Sequence, residues 1–148
     1  MIRLLDRLNG VLAAIPNDLI ALIARISVGT VFLRSGLLKL EGWADGTTVA
    51  LFRDEYQAPL LSPELAAMLA MSAELMLPWL LFAGLGTRLA SLALLGMTAV
   101  IQLFVYPNAF DTHGAWAVGF LYLMKYGAGR LSLDHLLWRV GGQRTAAA

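Results

Sequence analysis

Four charged residues interrupt long apolar stretches of this chain: Arg25, Arg34, Glu74 and Lys125. An ionised side chain in the middle of a bilayer costs about 2.5–3.5 kcal/mol on insertion scales, so each must find a partner, water or a way to the surface. Lys125 stands near the end of its stretch and can snorkel to the headgroups. Glu74 has no such exit. It lies eleven residues beyond Pro63, which the helical rise converts to roughly 16 Å of depth, near the midplane. Arg25 lies about 10 Å in from the opposite boundary by the same conversion. The two depths differ by about one turn, so Glu74 and Arg25 are expected to pair, directly or through water. An acid and a base held together in apolar surroundings are equipped to bind a polar group and to exchange protons with it.

Arg25, Gly29, Phe32, Gly36 and Lys39 recur at intervals of four, three, four and three residues. One helical face therefore carries both bases, and its glycines let a neighbouring helix come close. Arg34, nine residues after Arg25, points the other way and must face another helix or snorkel. Ser91, Leu95, Thr98, Gln102 and Tyr106 form a second stripe of polar and small groups, which turns Gln102 toward the bundle. Pro78 removes the amide that would bond the Glu74 carbonyl, leaving a free acceptor and favouring a kink. His113 and Trp116 share a face, and histidine is the side chain suited to proton exchange near neutral pH.

Other chemistries fit poorly. The sequence has no cysteine and two histidines. His113 and His135 fall at opposite ends of the expected bundle and cannot share a haem or a metal ion. Met68, Met71 and Met76 read as packing. Gly84-Leu-Gly86 and Gly141-Gly142 lack the strand-turn-helix setting of a phosphate loop. With 11 Lys and Arg against 10 Asp and Glu, the chain offers no field for nucleic acid. No metal, haem, nucleotide or nucleic acid is expected.

The elements that must position these residues are apolar helices. Hydrophobic residues make up 59% of the chain, charged ones 14%, and mean hydropathy is +0.70, a membrane protein's balance. Four stretches approach the ~20 residues a spanning helix needs, at about 19–40, 63–83, 88–106 and 113–128. Asn17 and Asp18 are N-cap candidates for the first. Ser62 caps the second, Gly84 to Thr87 makes a tight hairpin, and Gly127 to Gly129 ends the fourth. Ile2 to Ile15 reads as an amphipathic interfacial helix rather than a signal peptide. A short helix from Leu133 to Val140, capped by Ser132, is expected on the membrane surface. The fold expected is a single all-α domain over residues 1–148, an integral membrane four-helix bundle with short interfacial helices at both ends.

Loop charges give the orientation. Arg3, Arg7, Arg88, Arg130, Arg139 and Arg144 share one side, against Lys39 and Arg53 on the other, which places both termini in the cytoplasm. Trp43, Tyr56, Tyr106 and Trp116 are expected in an outer aromatic belt, and Trp79 and Trp138 in an inner one.

The runs Arg25-Ile-Ser-Val-Gly29 and Phe32-Leu-Arg-Ser-Gly36-Leu-Leu-Lys39-Leu carry a family resemblance, together with Ala73-Glu74 and Leu85-Gly-Thr-Arg88. So does Tyr126-Gly-Ala-Gly129-Arg-Leu-Ser132-Leu-Asp134. Over nearly all of Leu22 to Leu137 the chain resembles the DoxX family of small four-span bacterial membrane proteins. Members resemble the membrane subunit of a thiosulfate:quinone oxidoreductase, or are associated with oxidative-stress complexes or with operons that make modified metal-handling peptides. Arg34, the segment from Phe52 to Leu61 and His113 with Trp116 look most like the last group.

The resemblance implies an inner-membrane subunit of a redox system that interacts with a quinone; without metal, haem or cysteine, its electrons are expected from a protein partner or a soluble donor. Glu74 and Arg25 are then the expected catalytic pair. Arg25, Arg34, Lys39, Glu74, Gln102 and His113 are the expected binding residues, with Tyr106 a further hydrogen-bonding candidate. The alternative is a noncatalytic membrane scaffold or assembly partner, for instance for a peptide-modifying or metal-handling system. A transport accessory ranks third, and lipid contact and a homo-oligomer fit all three.

Overall fold

The computed structural model describes residues 2–57 and 60–145. Seven α-helices follow in order: α1 (Ile2–Ala13), α2 (Asn17–Glu41), α3 (Thr47–Leu51), α4 (Pro63–Ala83), α5 (Thr87–Val100), α6 (Phe110–Tyr126) and α7 (Leu133–Thr145). A wide π turn, Phe52–Tyr56, prolongs α3, and another, Ile101–Val105, prolongs α5. There is no strand among the described residues. Backbone polar groups in lipid must be satisfied within their own segment, which is why long apolar sequence becomes helix. Asn17–Glu41, Pro63–Ala83 and Thr87–Val105 are long and apolar enough to cross a membrane, whereas α6, with 17 residues, lies at the lower limit of spanning length.

These four long helices close a ring: α2 packs on α4 and α6, and α5 packs on the same two. Phe32, Leu81, Leu94, Phe120 and Leu123 fill its centre, with the Phe32 ring edge-on to Phe120 and to Trp116, at 5.5 Å between centroids in each case. Both α2 glycines face α4. A Cβ on Gly29 would meet the Phe82 ring at 2.6 Å, and one on Gly36 would meet the Glu74 backbone at 2.9 Å. The contact stripe on α2 is therefore the one its spacing predicts.

Four expectations change. Pro16 occupies the N-cap position of α2, and the polar groups expected to cap it serve other partners. Asp18 accepts the Arg130 amide at 2.8 Å, and the Tyr122 hydroxyl donates to Asn17. The last helix continues through Gly141 and Gly142 to Thr145, beyond the expected end at Val140. Met68 and Met76 point outward, and only Met71 of that group is buried. Finally, α3 and its π turn occupy a stretch expected only as loop. The apolar residues of α1 from Leu4 to Leu12 are exposed, as an interfacial helix requires.

Candidate functional site

Glu74 pairs with Lys39, not with Arg25. The Lys39 Nζ donates to Glu74 Oε2 at 2.8 Å, to Oε1 at 3.1 Å and to the Ser35 hydroxyl at 2.8 Å, and both members of the pair are buried. The expected partner is wrong because equal depth from the segment ends means equal level only where those ends are level, and here they are not. At 25 residues, α2 is about 37 Å long and overshoots a ~30 Å hydrocarbon layer. Gly36 sets the true register, since its missing side chain is what admits the Glu74 backbone. Lys39 follows Gly36 by just under one turn and so reaches the carboxylate.

A hook at the end of α2 completes the site. The Thr48 hydroxyl donates to the Lys39 carbonyl at 2.7 Å, and the Thr48 amide to the Gly42 carbonyl at 2.8 Å. This folds α3 back over the bundle, so that its π turn lays Phe52 and Tyr56 against α4. The Tyr56 ring centroid is 5.9 Å from Lys39 Nζ. Burial and the Glu74 carboxylate push the Tyr56 phenol above its ordinary range.

The pair forms part of the wall of a cavity of about 400 Å³ between α4 and the far end of α5. Ala66, Ala70 and Ala73 line one side, Met97, Ile101 and Val105 the other, and Phe52 and Tyr56 close the end. Its rim includes Leu69 and Val100, which are exposed on the helix surface, so the mouth opens sideways between two helices. A second cavity, of about 100 Å³, lies behind Lys39, Tyr56 and Glu74 and reaches Tyr106, His113 and Trp116. Both π turns border this region, and such turns widen a helix locally and recur where side chains must be re-aimed.

Arg25 anchors the opposite end of the bundle. Its guanidinium donates to the Leu131 carbonyl at 2.7 Å and to the Leu81 carbonyl at 3.4 Å. A Cβ on Gly84, whose φ is +66°, would lie 2.2 Å from Arg25 Nη1. Asp134 accepts the Gly86 and Thr87 amides at 2.7 and 3.0 Å, capping α5 from another helix. Arg25 touches neither the 400 Å³ nor the 100 Å³ cavity, which removes it from the candidate catalytic pair.

The sequence profile of the DoxX family matches residues 20–107. The chain belongs to the DoxX family. It is also 30% identical over 129 residues to an uncharacterized protein of Haemophilus influenzae, a match that covers 80% of this chain and 83% of that one. No solved structure matches it. The DoxX match runs from α2 to just past the α5 π turn and so contains Lys39, Glu74 and Tyr56. His113 and Asp134 lie beyond it.

The remaining binding candidates of this DoxX-family membrane protein divide. Gln102 and His113 come together, Nδ1 to Oε1, at 2.7 Å. The Tyr106 hydroxyl donates to Glu55, and its ring meets that of Tyr56 edge-on at 5.9 Å. Arg34 is exposed on the outside of α2 and lines neither of these cavities. Tyr56 and Trp116, expected in the outer aromatic belt, turn inward instead. Ser35, Phe52 and Tyr56 are site residues that sequence reasoning missed. The signal for Phe52 and Tyr56 is the four-residue interval between them, which puts two aromatics on one helical face, and Ser35 stands at the same interval before Lys39.

Proposed function

We propose that this chain is the membrane subunit of a redox system and that its lateral cavity receives the headgroup of a quinone. The carrying observation is an apolar cavity of about 400 Å³ whose wall holds a buried Lys39–Glu74 pair. Ligand sites combine apolar walls with a few convergent polar groups, and the donor set suits a quinone. Lys39 and the Tyr56 hydroxyl are donors for a carbonyl oxygen, Glu74 is an acceptor for a hydroxyl, and the alanine-rich α4 wall accepts a flat ring. Bound there, a quinone would supply two-electron carrier chemistry that the side chains lack. A mouth between α4 and α5 suits a ligand that arrives through lipid with an apolar tail.

In this reading α6 crosses the membrane as a fourth span, with both termini in the cytoplasm and the Tyr56 end of the bundle outside the inner membrane. Electrons come from a protein partner. Arg34, exposed on α2, is the side chain that a partner helix bearing a carboxylate would neutralise. The test is binding of decylubiquinone to the purified protein in lipid nanodiscs, measured by equilibrium dialysis. Saturable binding is expected, with affinity at least tenfold weaker in Ala73→Phe, which fills the cavity. Wild-type protein that does not bind, or a variant that binds equally well, overturns the reading.

A further inference from the structure

His113 is buried, titratable and unused by the cavity just described. Its tautomer follows from its neighbours. Gln102 Nε2 donates to the Pro107 carbonyl at 2.6 Å, and the reversed amide would set two oxygens against each other there. The Gln102 oxygen therefore faces His113 Nδ1 at 2.7 Å, and because an amide oxygen carries no proton, Nδ1 must supply it. Neutral His113 is left with a bare Nε2, which makes no hydrogen bond among the described residues. Its ring leans on Trp116, with centroids 5.0 Å apart, and borders the 100 Å³ cavity behind Lys39 and Glu74. At about 30 Å³ per water, that cavity holds roughly three, and Ser35, Lys39, Glu74 and His113, set in a mostly apolar lining, offer them partners.

Resting on the quinone-site reading, we propose that His113 is the proton-relay residue of this site, linked to a bound hydroxyl by water in the small cavity. A phenol-type O–H in the larger cavity gives its proton to water beside Glu74, water passes a proton to His113 Nε2, and the O–H electron pair stays on oxygen. The imidazolium and the new anion balance, so no further reactant is required. Gln102 positions the ring by holding Nδ1. The other titratable groups around the small cavity are Lys39 on α2, Glu74 on α4, Tyr56 on the α3 π turn and Tyr106 just after α5. Lys39 donates to Glu74 and Ser35, both Glu74 oxygens already accept from it, and the Tyr56 and Tyr106 hydroxyls are acids, the latter donating to Glu55, which leaves the bare Nε2 of His113 as the base among these groups.

Two measurements test this. In protein labelled with 15N-histidine, with His135→Gln removing the second signal, His113 is expected as the Nδ1–H tautomer with a bare Nε2, and Gln102→Leu is expected to shift that preference. This arm needs no ligand, and a protonated Nε2 in the neutral wild-type ring overturns the proposal. The second probe is an alkylated 4-nitrophenol bound at saturation, whose phenolate is read by absorbance. At a fixed mildly acidic pH, the bound phenolate-to-phenol ratio is expected to fall at least tenfold in His113→Gln, with folding checked by thermal melting and His113→Asn as a second variant. Equal ionisation in folded wild-type and variant protein, or no binding of the phenol, overturns the relay. Failure of decylubiquinone to bind instead overturns the quinone reading, while the phenol still decides the role of His113.

Discussion

Two bases on one face of α2, Arg25 and Lys39, end in opposite circumstances. Arg25 is held by backbone carbonyls from two different segments, Leu81 and Leu131, and Gly84 presses against it. Lys39 is held by a carboxylate and a hydroxyl, with cavities on either side. Backbone acceptors are fixed by the fold, and a planar guanidinium with several donors can tie two of them together. A side-chain carboxylate can change its proton, its rotamer or its partner, and a cavity gives a ligand room to exploit that. Burial of charge alone therefore does not single out a candidate site, whereas a side-chain counter-ion beside open volume does.

The largest expected effect breaks the fixed end. Gly84→Val would place carbon against Arg25 and impose a β-branched residue at positive φ. Strain and overpacking together are expected to cost about 3–6 kcal/mol, read as the largest loss of melting temperature among these variants in detergent. Near-wild-type stability would show that Arg25 is not locked there. At the other end, Glu74→Gln strands a buried ammonium and is expected to cost about 3–5 kcal/mol. Adding Lys39→Met to it should restore most of that stability without restoring ligand binding, whereas adding Arg25→Met should restore none. Rescue by the Arg25 change would reinstate the partner suggested by depth alone.

The smallest effect is at alkaline pH and sharpens the comparison. The folded-state pKa of Tyr56 is raised above its unfolded value of about 10, so its contribution is complete below that value. It is lost as pH rises through the folded pKa, because the unfolded chain releases the proton first. Stability should therefore fall less steeply above pH ~10 in Tyr56→Phe than in the wild type. Identical slopes in chemical unfolding across that range would place the phenol in water, away from Glu74.

Periodicity made the helices and the inward face of α2 legible, because glycine spacing and apolar length are local properties of a sequence. The second segment, expected at 63–83, is the observed Pro63–Ala83. Choosing between Arg25 and Lys39 as the partner of Glu74 was not a local matter. It depends on how far α2 slides along α4, and Gly36 decides that through a backbone contact no spacing rule contains. The α3 hook was hidden for a similar reason. Five α-helical residues are too few to announce themselves by period, and Thr48 fixes them through the Lys39 carbonyl, which is free to accept only because α2 ends within the next turn. Gln102 and His113 were individually noticeable, but the π turn of α5 aligns them, and a wide turn leaves no periodic trace.

The anchoring of Arg25 also has a bearing on how the chain is made. Lys39 and its carboxylate are 35 residues apart, whereas Arg25 and the Leu131 carbonyl are separated by 106. At synthesis rates of about 5–20 residues per second, the first gap closes in roughly 2–7 s and the second in roughly 5–20 s. The nascent α2–α4 hairpin therefore carries its lysine already neutralised, but its arginine has only the long Leu81 bond of 3.4 Å and still lacks the 2.7 Å bond to Leu131. Until the ribosome has delivered Leu131, that guanidinium has to be kept hydrated or at a headgroup, so the Arg25 end of α2 would be the last part of the bundle to settle into the bilayer.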